Sequence, residues 1–310
     1  AELRIEVLSN RADLISGGDA LVEVELPEGA DAAGLRVDDD GRDVTPAFGK
    51  RLNGRVVGVV SGLDNGANVL TARLPDGRGA RITITSHPHA GPVFSGPHIQ
   101  PWGCAEGALD ADCNRPPTYE FQYMPEGGRQ LQPYDPASPP PFAVAQTTTD
   151  QGKTVPYIVR VETGVIARDE YRIAVLYDPT KPWEPWAPQP GYNGKLVINH
   201  GASCDTGYAQ GSAPDVLNLT ALPRGFAVMS HALDNAGHNC NIVTQAESLV
   251  MTKEYLAERY GPVRYTIGTG CSGGSLAQYQ IANAYPGIYQ GILPQCSFAD
   301  AWSSAMQYID

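Results

Sequence analysis

From residue 195 onward the chain repeats one pattern, an uninterrupted apolar run followed by a polar or helical stretch. KLVINH (195–200), GFAVMSHAL (225–233), RYTIGTG (264–270) and YQGILPQ (289–295) are such runs. A strand covered on both faces has no need of in/out alternation, so these runs, with helical patterns between them, predict a parallel sheet. The best helix spans 242–260, where Val243, Ala246, Leu249, Val250, Leu256, Ala257 and Tyr260 recur at three- and four-residue spacings. Thr244 and Glu247 have capping-box spacing, Asn241 is an equally good N-cap, and Gly261-Pro262 stops the helix. Strand and helix in alternation place the loops after each strand on one sheet edge, where chemistry collects.

On that edge lies Gly270-Cys271-Ser272-Gly273-Gly274, a GxSxG motif preceded by a strand and followed by a helix pattern, SLAQYQIANAY. That context identifies a nucleophile elbow. A serine on a tight strand-to-helix turn brings neighbouring backbone so close that residues two before and two after it have no room for a Cβ. Ser272 is therefore the candidate nucleophile, and the Gly273 amide, at the helix N-terminus, a candidate oxyanion donor. Trypsin-like proteases share GxSGG, but on β-barrels with differently placed partners. Papain-like proteases share GCxGG, but the CGSCW nucleophile segment has no counterpart here. The loop after KLVINH, His200-Gly201-Ala202-Ser203-Cys204, offers the amides of Gly201 and Ala202 as second oxyanion donors. His200, His231 and His238, at strand ends on the same edge, are candidate substrate or loop contacts.

Residues 1–88 read differently. LRIEVLSN, ALVEVELP, RVVGVVSG, NVLTARL and ARITITSH are short strands divided by SGG, PEG, LDNG and PDG turns. They predict a small β-sandwich of immunoglobulin-like kind. Asp38-Asp39-Asp40 reads as a solvated turn rather than a calcium loop. Residues 89–152 are rich in Pro and Gly and read as linker and loop, with Cys104 and Cys113 as a disulfide pair. His87, His89 and His98 have no nearby carboxylate or Cys to complete a metal site and receive no role. A hairpin, VPYIVRVETG and VIARDEYRIAVLYDP joined at Gly164, opens the α/β domain at 153, which runs to 310.

Composition limits the partners. With 34 acidic and 22 basic side chains the net charge is −12, which repels phosphate backbones and anionic head groups. No apolar run approaches the roughly 20 residues that span a bilayer. Neither nucleic acid nor membrane is an expected partner, and no metal or cofactor is implied. Six cysteines, an even count, with Cys204, Cys240, Cys271 and Cys296 beside Cys104 and Cys113, suit an oxidising compartment. The start at Ala1-Glu2, lacking Met or an apolar leader, fits a mature secreted or periplasmic product.

Tyr260-Gly261, Arg264-Tyr265, Gly270-Cys271-Ser272-x-Gly274, Tyr285-Pro286 and Tyr289-x-Gly291-Ile292, with FAVMSHALDNAGH upstream, closely resemble the tannase and feruloyl esterase family of serine esterases. The match covers about 195 to 295, and a related, uncharacterised family of secreted bacterial hydrolases fits it as well. The resemblance implies an α/β-hydrolase fold in which Ser272 attacks an ester carbonyl, a His acts as base and an Asp orients the His. It also implies that Cys271 is bonded to a Cys beside the catalytic His. This chain departs from the family in carrying Cys296, which makes Cys271–Cys296 a competing pair. Residues 1–88 and 99–150 are not tannase-like.

In this fold the triad follows the chain order Ser, acid, His. After Gly273 the sequence holds no His and only Asp300 and Asp310 as carboxylates. The base and acid are therefore expected beyond Asp310, on a further segment or on a second chain cut from one precursor. Two other readings share these residues. One is an amidase or peptidase on the same scaffold; the other is an inactive polymer- or glycan-binding protein using Trp183 and Trp186.

Overall fold

The computed structural model describes residues 2–298. They divide into two compact units, one made of the residues up to 96 with 183–188 and 253–262, the other of the remainder.

The first unit holds β1 (Arg4–Val7), β2 (Ile15–Ser16), β3 (Asp19–Glu25), β4 (Arg36–Asp39), β5 (Arg42–Asp43), β6 (Gly49–Lys50), β7 (Val56–Ser61), β8 (Gly66–Arg73) and β9 (Gly79–His87). They form a four-stranded sheet, β1-β3-β7-β6, and a five-stranded sheet, β2-β9-β8-β4-β5. Alternation decides the packing: Val22, Val24, Val56 and Val60 from one sheet share a core with Val37, Leu70, Ala72 and Ile84 from the other. Asp38-Asp39-Asp40 lies in the β4–β5 hairpin, where Asp39 pairs with Arg42 at 2.7 Å and Asp38 accepts the Gly41 amide at 3.2 Å. Trp183 and Trp186 both belong to this unit and are half-buried. Trp183 donates Nε1–H to the Tyr260 carbonyl at 2.9 Å, and Trp186 lies 3.6 Å beneath the Arg51 guanidinium.

Residues 253–262 bring two acids into this unit. The Glu254 carboxylate accepts the Ser16 amide at 2.6 Å and the Asn10 side-chain amide at 3.1 Å. Glu258, one helical turn on, is also buried. Asp19 and Arg259, themselves 3.4 Å apart, are the charges that act on the two acids. Burial pushes Glu254 up to about 8 from the ordinary 4.5, against its hydrogen bonds to Ser16 and Asn10. Burial, then the neighbouring Glu254, raises Glu258 too.

The second unit holds β10 (Thr118–Tyr123), β11 (Gln132–Pro133), β12 (Gln146–Thr148), β13 (Thr154–Pro156), β14 (Ile158–Ile166), β15 (Asp169–Leu176), β16 (Lys195–Asn199), β17 (Ala227–His231), β18 (Tyr265–Cys271) and β19 (Gly291–Gln295). Eight of them build one sheet in the order β11-β10-β14-β15-β17-β16-β18-β19. Pairing is antiparallel as far as β17 and parallel across β17-β16-β18-β19. From β14 onward the spatial order is first, second, fourth, third, fifth, sixth, the α/β-hydrolase arrangement. Helix α1 (Ile242–Tyr260) starts at Asn241, whose Oδ1 accepts the amides of Val243 and Thr244 at 3.0 and 3.3 Å. Of the two cap alternatives the asparagine prevails. Helix α2 (Gly273–Ala284) follows β18.

Three expectations change. Residues 89–152 are not all linker, because β10 pairs with β14 along Thr118–Tyr123 and extends the main sheet. The Pro- and Gly-rich flanks obscured a strand of six residues. The β14–β15 hairpin turns at Ala167-Arg168, with φ of 51° and 68°, not at Gly164. Gly164 lies within β14, where a Cβ would come 2.7 Å from the Tyr171 ring. That glycine marks a close side-chain approach. Between β16 and β17 the chain forms no α-helix; residues 200–221 are an irregular loop followed by a short 3-10 turn, Leu222–Arg224.

No helix among the described residues is long and apolar enough to cross a membrane. The buried glutamates make stability depend on pH with a definite sign. The folded chain keeps on Glu254 a proton that the unfolded chain releases near 4.5, so stability present below that value is lost as pH rises through about 8. Chemical denaturation of Glu254→Gln beside the parent should show the variant gaining on the parent between about pH 5 and 9. A difference that stays constant over this range overturns the assignment.

Candidate active site

Ser272 sits between β18 and α2 with φ 56° and ψ −117°, a conformation that costs a non-glycine residue about 1–3 kcal/mol. Hydrogen bonds on both sides hold it there. Its amide donates to the Gln295 carbonyl at 3.1 Å, and its carbonyl accepts the amides of Ser275 and Leu276 at 2.9 and 3.1 Å and the Ser275 hydroxyl at 2.7 Å. The buried Gln278 side chain donates Nε2–H to the carbonyls of Gly274 at 2.9 Å and Gly270 at 3.3 Å, tying the residues on either side of the serine together.

The glycines of the motif are explained by what they touch. A Cβ on Gly270 would lie 2.9 Å from the His200 Cβ, and one on Gly274 2.8 Å from the Gly201 carbonyl oxygen. A Cβ on Gly273 would run into the carbonyl oxygen of Ser203. The loop after β16 is thus laid directly against the elbow. Ser203, which the sequence did not single out, is the loop residue that meets Gly273, with φ 71°. Its only signal was Gly273, the first glycine after the serine. Gly201 bridges Asn235 and turns its carbonyl toward Gly274, while the Ala202 carbonyl faces Gly237. Ser203, Ser272 and Gly273 line one pocket of about 170 Å³.

Of the three histidines, His238 makes a loop contact, while His200 and His231 are buried. His200 is buried behind the elbow, its Nδ1 2.8 Å from the Asp234 carboxylate and its Nε2 2.8 Å from the Tyr289 hydroxyl. A neutral imidazole fits both partners, Nδ1–H donating to Asp234 and Nε2 accepting from Tyr289. Burial raises Asp234, opposed by His200, and burial followed by the Asp234 charge raises Tyr289 well above its ordinary value. His231 is fully buried, 3.0 Å from the Ile166 carbonyl through Nε2 and accepting the Leu233 amide at 3.0 Å through Nδ1. Burial pushes it down to about 4. Both rings are buried, with both nitrogens hydrogen-bonded, so neither faces a substrate. His238 is half-buried and binds Asp169 at 2.8 Å through Nε2. That bond raises its affinity for a proton against the opposing effect of burial. Gly207 and Gly211 flank the ring, where a Cβ on either would come within 2.6 Å, so His238 anchors the loop rather than facing the pocket.

Disulfides join Cys104 to Cys113, Cys204 to Cys240 and Cys271 to Cys296. Cys271 therefore takes the neighbouring-strand partner, not a Cys beside a catalytic His, because β18 and β19 bring the two Cα atoms to 5.0 Å. Asp300 and Asp310 lie outside the described residues.

An α/β-hydrolase sheet with a strained serine at the strand–helix turn defines the class. A family model described as the tannase-like family of unknown function (DUF6351) matches residues 5–310, and the chain belongs to that family. Similar solved structures include a tannin acyl hydrolase from Aspergillus niger, at 12% identity over 62% of this chain and 34% of that one, TM-score 0.28. An esterase from Aspergillus oryzae follows at 11% identity over 58% and 34%, TM-score 0.27. Oligopeptidase B from Leishmania major is similar at 11% identity over 90% and 34%, TM-score 0.29. The chain spans about a third of the length of these structures. No curated protein matches it.

Gly273→Ala should test the contact between loop and elbow. The added methyl displaces the Ser203 carbonyl, and acylation of Ser272 by a fluorophosphonate should slow by about 10²-fold, the scale of a lost oxyanion donor, with far-UV circular dichroism unchanged. Labelling at the parent rate would show that the loop does not hold the elbow.

Proposed function

We propose that this chain carries the nucleophile of a serine hydrolase that cleaves a carboxylic ester through an acyl-enzyme on Ser272. The observation that carries the proposal is Ser272 itself, a serine held at φ 56° on a strand-to-helix turn and lining a pocket with Gly273. In the reaction Oγ attacks the ester carbonyl as its proton passes to a base, and the amide of Gly273 with that of Gly201 or Ala202 receives the oxyanion. The alcohol leaves with a proton, and water then releases the acid. Such chemistry uses no cofactor. Membership of a tannase-like family favours an ester over an amide.

His200 and His231 are committed to buried hydrogen bonds and His238 to Asp169, so the base and its orienting acid come from sequence beyond Asp310, on the same or a second chain. We read residues 1–88 as an immunoglobulin-like β-sandwich that precedes the hydrolase domain in the chain. Three disulfides support a secreted or periplasmic setting.

A fluorophosphonate should label the protein at Ser272 alone, and Ser272→Ala should abolish both labelling and hydrolysis. Matched aryl ester and anilide substrates should differ by orders of magnitude in favour of the ester. A preferred anilide would move the assignment to an amidase. Chains produced with and without the sequence after Asp310 test the origin of the base. Hydrolysis is expected only with that sequence, and an active 310-residue species overturns the assignment.

A further inference from the structure

We propose that the pocket beside Ser272 is an acyl pocket that seats an uncharged aliphatic acyl group of about four to six carbons, on the scale of an apolar cavity of ~150 Å³ that holds benzene. The inference rests on Ser272 being the nucleophile and adds what that nucleophile acylates. A pocket lined by both Ser272 and Gly273 borders the nucleophile, so it can receive a substituent of the attacked carbonyl carbon. Two substituents compete for it, the acyl chain and the leaving alcohol.

Construction favours the acyl chain. Leu276 and Ala277 of α2 form one side, the Cys204–Cys240 disulfide with Ala236 another, and Phe298 a third. A covalently cross-linked wall suits the group that stays bound after the first step, whereas an alcohol needs a route out. The volume, about 170 Å³, is on the scale of a short acyl chain. The lining sets the chemistry, because beside Ser272 its polar side chains, Ser203, Gln245 and Gln280, are neutral and the remaining residues are glycine, apolar or disulfide-bonded. Gln245 has already turned Nε2–H to the Asn239 carbonyl at 2.9 Å. A charged acyl group would lose its hydration there without a counter-charge.

The test uses the full-length protein and nitrophenyl esters from acetyl to decanoyl, with fluorophosphonate titration to count active Ser272. kcat/KM should peak at about four to six carbons. Leu276→Trp should lower the hexanoyl-to-acetyl ratio at least tenfold, and Leu276→Ala should move the peak to longer chains. A profile that is flat, that neither variant moves, or that favours hydroxylated aromatic acyl groups overturns the acyl pocket while titration still counts the nucleophile. Variants that alter dependence on the alcohol at fixed acyl group assign the pocket to the leaving group and overturn it equally. Absence of labelling in the parent would overturn the nucleophile itself and this inference with it.

Discussion

The close approach of the loop after β16 to the turn after β18 is the contact on which the rest of the site depends. Ser203 meets Gly273 where any side chain would be excluded, and Gly201 meets Gly274 in the same way. Two backbones at that distance need dense support, since neither brings side-chain burial to the contact. The support comes from behind and from the side. Asp234, His200 and Tyr289 form a buried polar chain under the elbow, and every added methyl at Gly270 would press on it. From the side, Cys204–Cys240, the Asp205 amide on the Ala236 carbonyl and the Gly207 amide on the His238 carbonyl fasten the loop to the segment after β17.

This arrangement gives the histidines a common explanation. A histidine at a strand end near a nucleophile suggests catalysis, yet here the rings are spent on holding backbone in place. His200 and His231 each satisfy both nitrogens with buried partners, and His238 gives Nε2 to Asp169, whose other oxygen accepts the Gly211 amide at 2.8 Å. Partners so distant in sequence leave no local spacing to read.

What was legible follows from range. The parallel strands, helix α1 and its stop, and the strained serine depend on neighbouring residues, and their apolar runs, caps and glycines stand close together in the sequence. Glycine was the least transparent letter. At 270 and 274 it marked an elbow as expected, whereas Gly164, read as a turn, makes room for Tyr171. The strand at Thr118–Tyr123 was hidden because prolines on both sides dominate the local signal, and its place on the sheet is decided by pairing with β14. Ser203 was invisible for the same reason: what distinguishes it is a residue seventy positions further on.

The disulfide across the pocket wall has a consequence for how such a site comes to exist. Cys204 and Cys240 are 36 residues apart in the chain, and closing a loop of that length removes freedom worth about 4 kcal/mol from the unfolded ensemble. The loop between β16 and β17 has no helix to fold on its own account. Its shape is therefore held from outside, by the disulfide and by docking on the elbow. In a reducing compartment the same sequence would still encode the strand, the turn and the serine, but the wall that gives the serine a substrate would be left to search for its place.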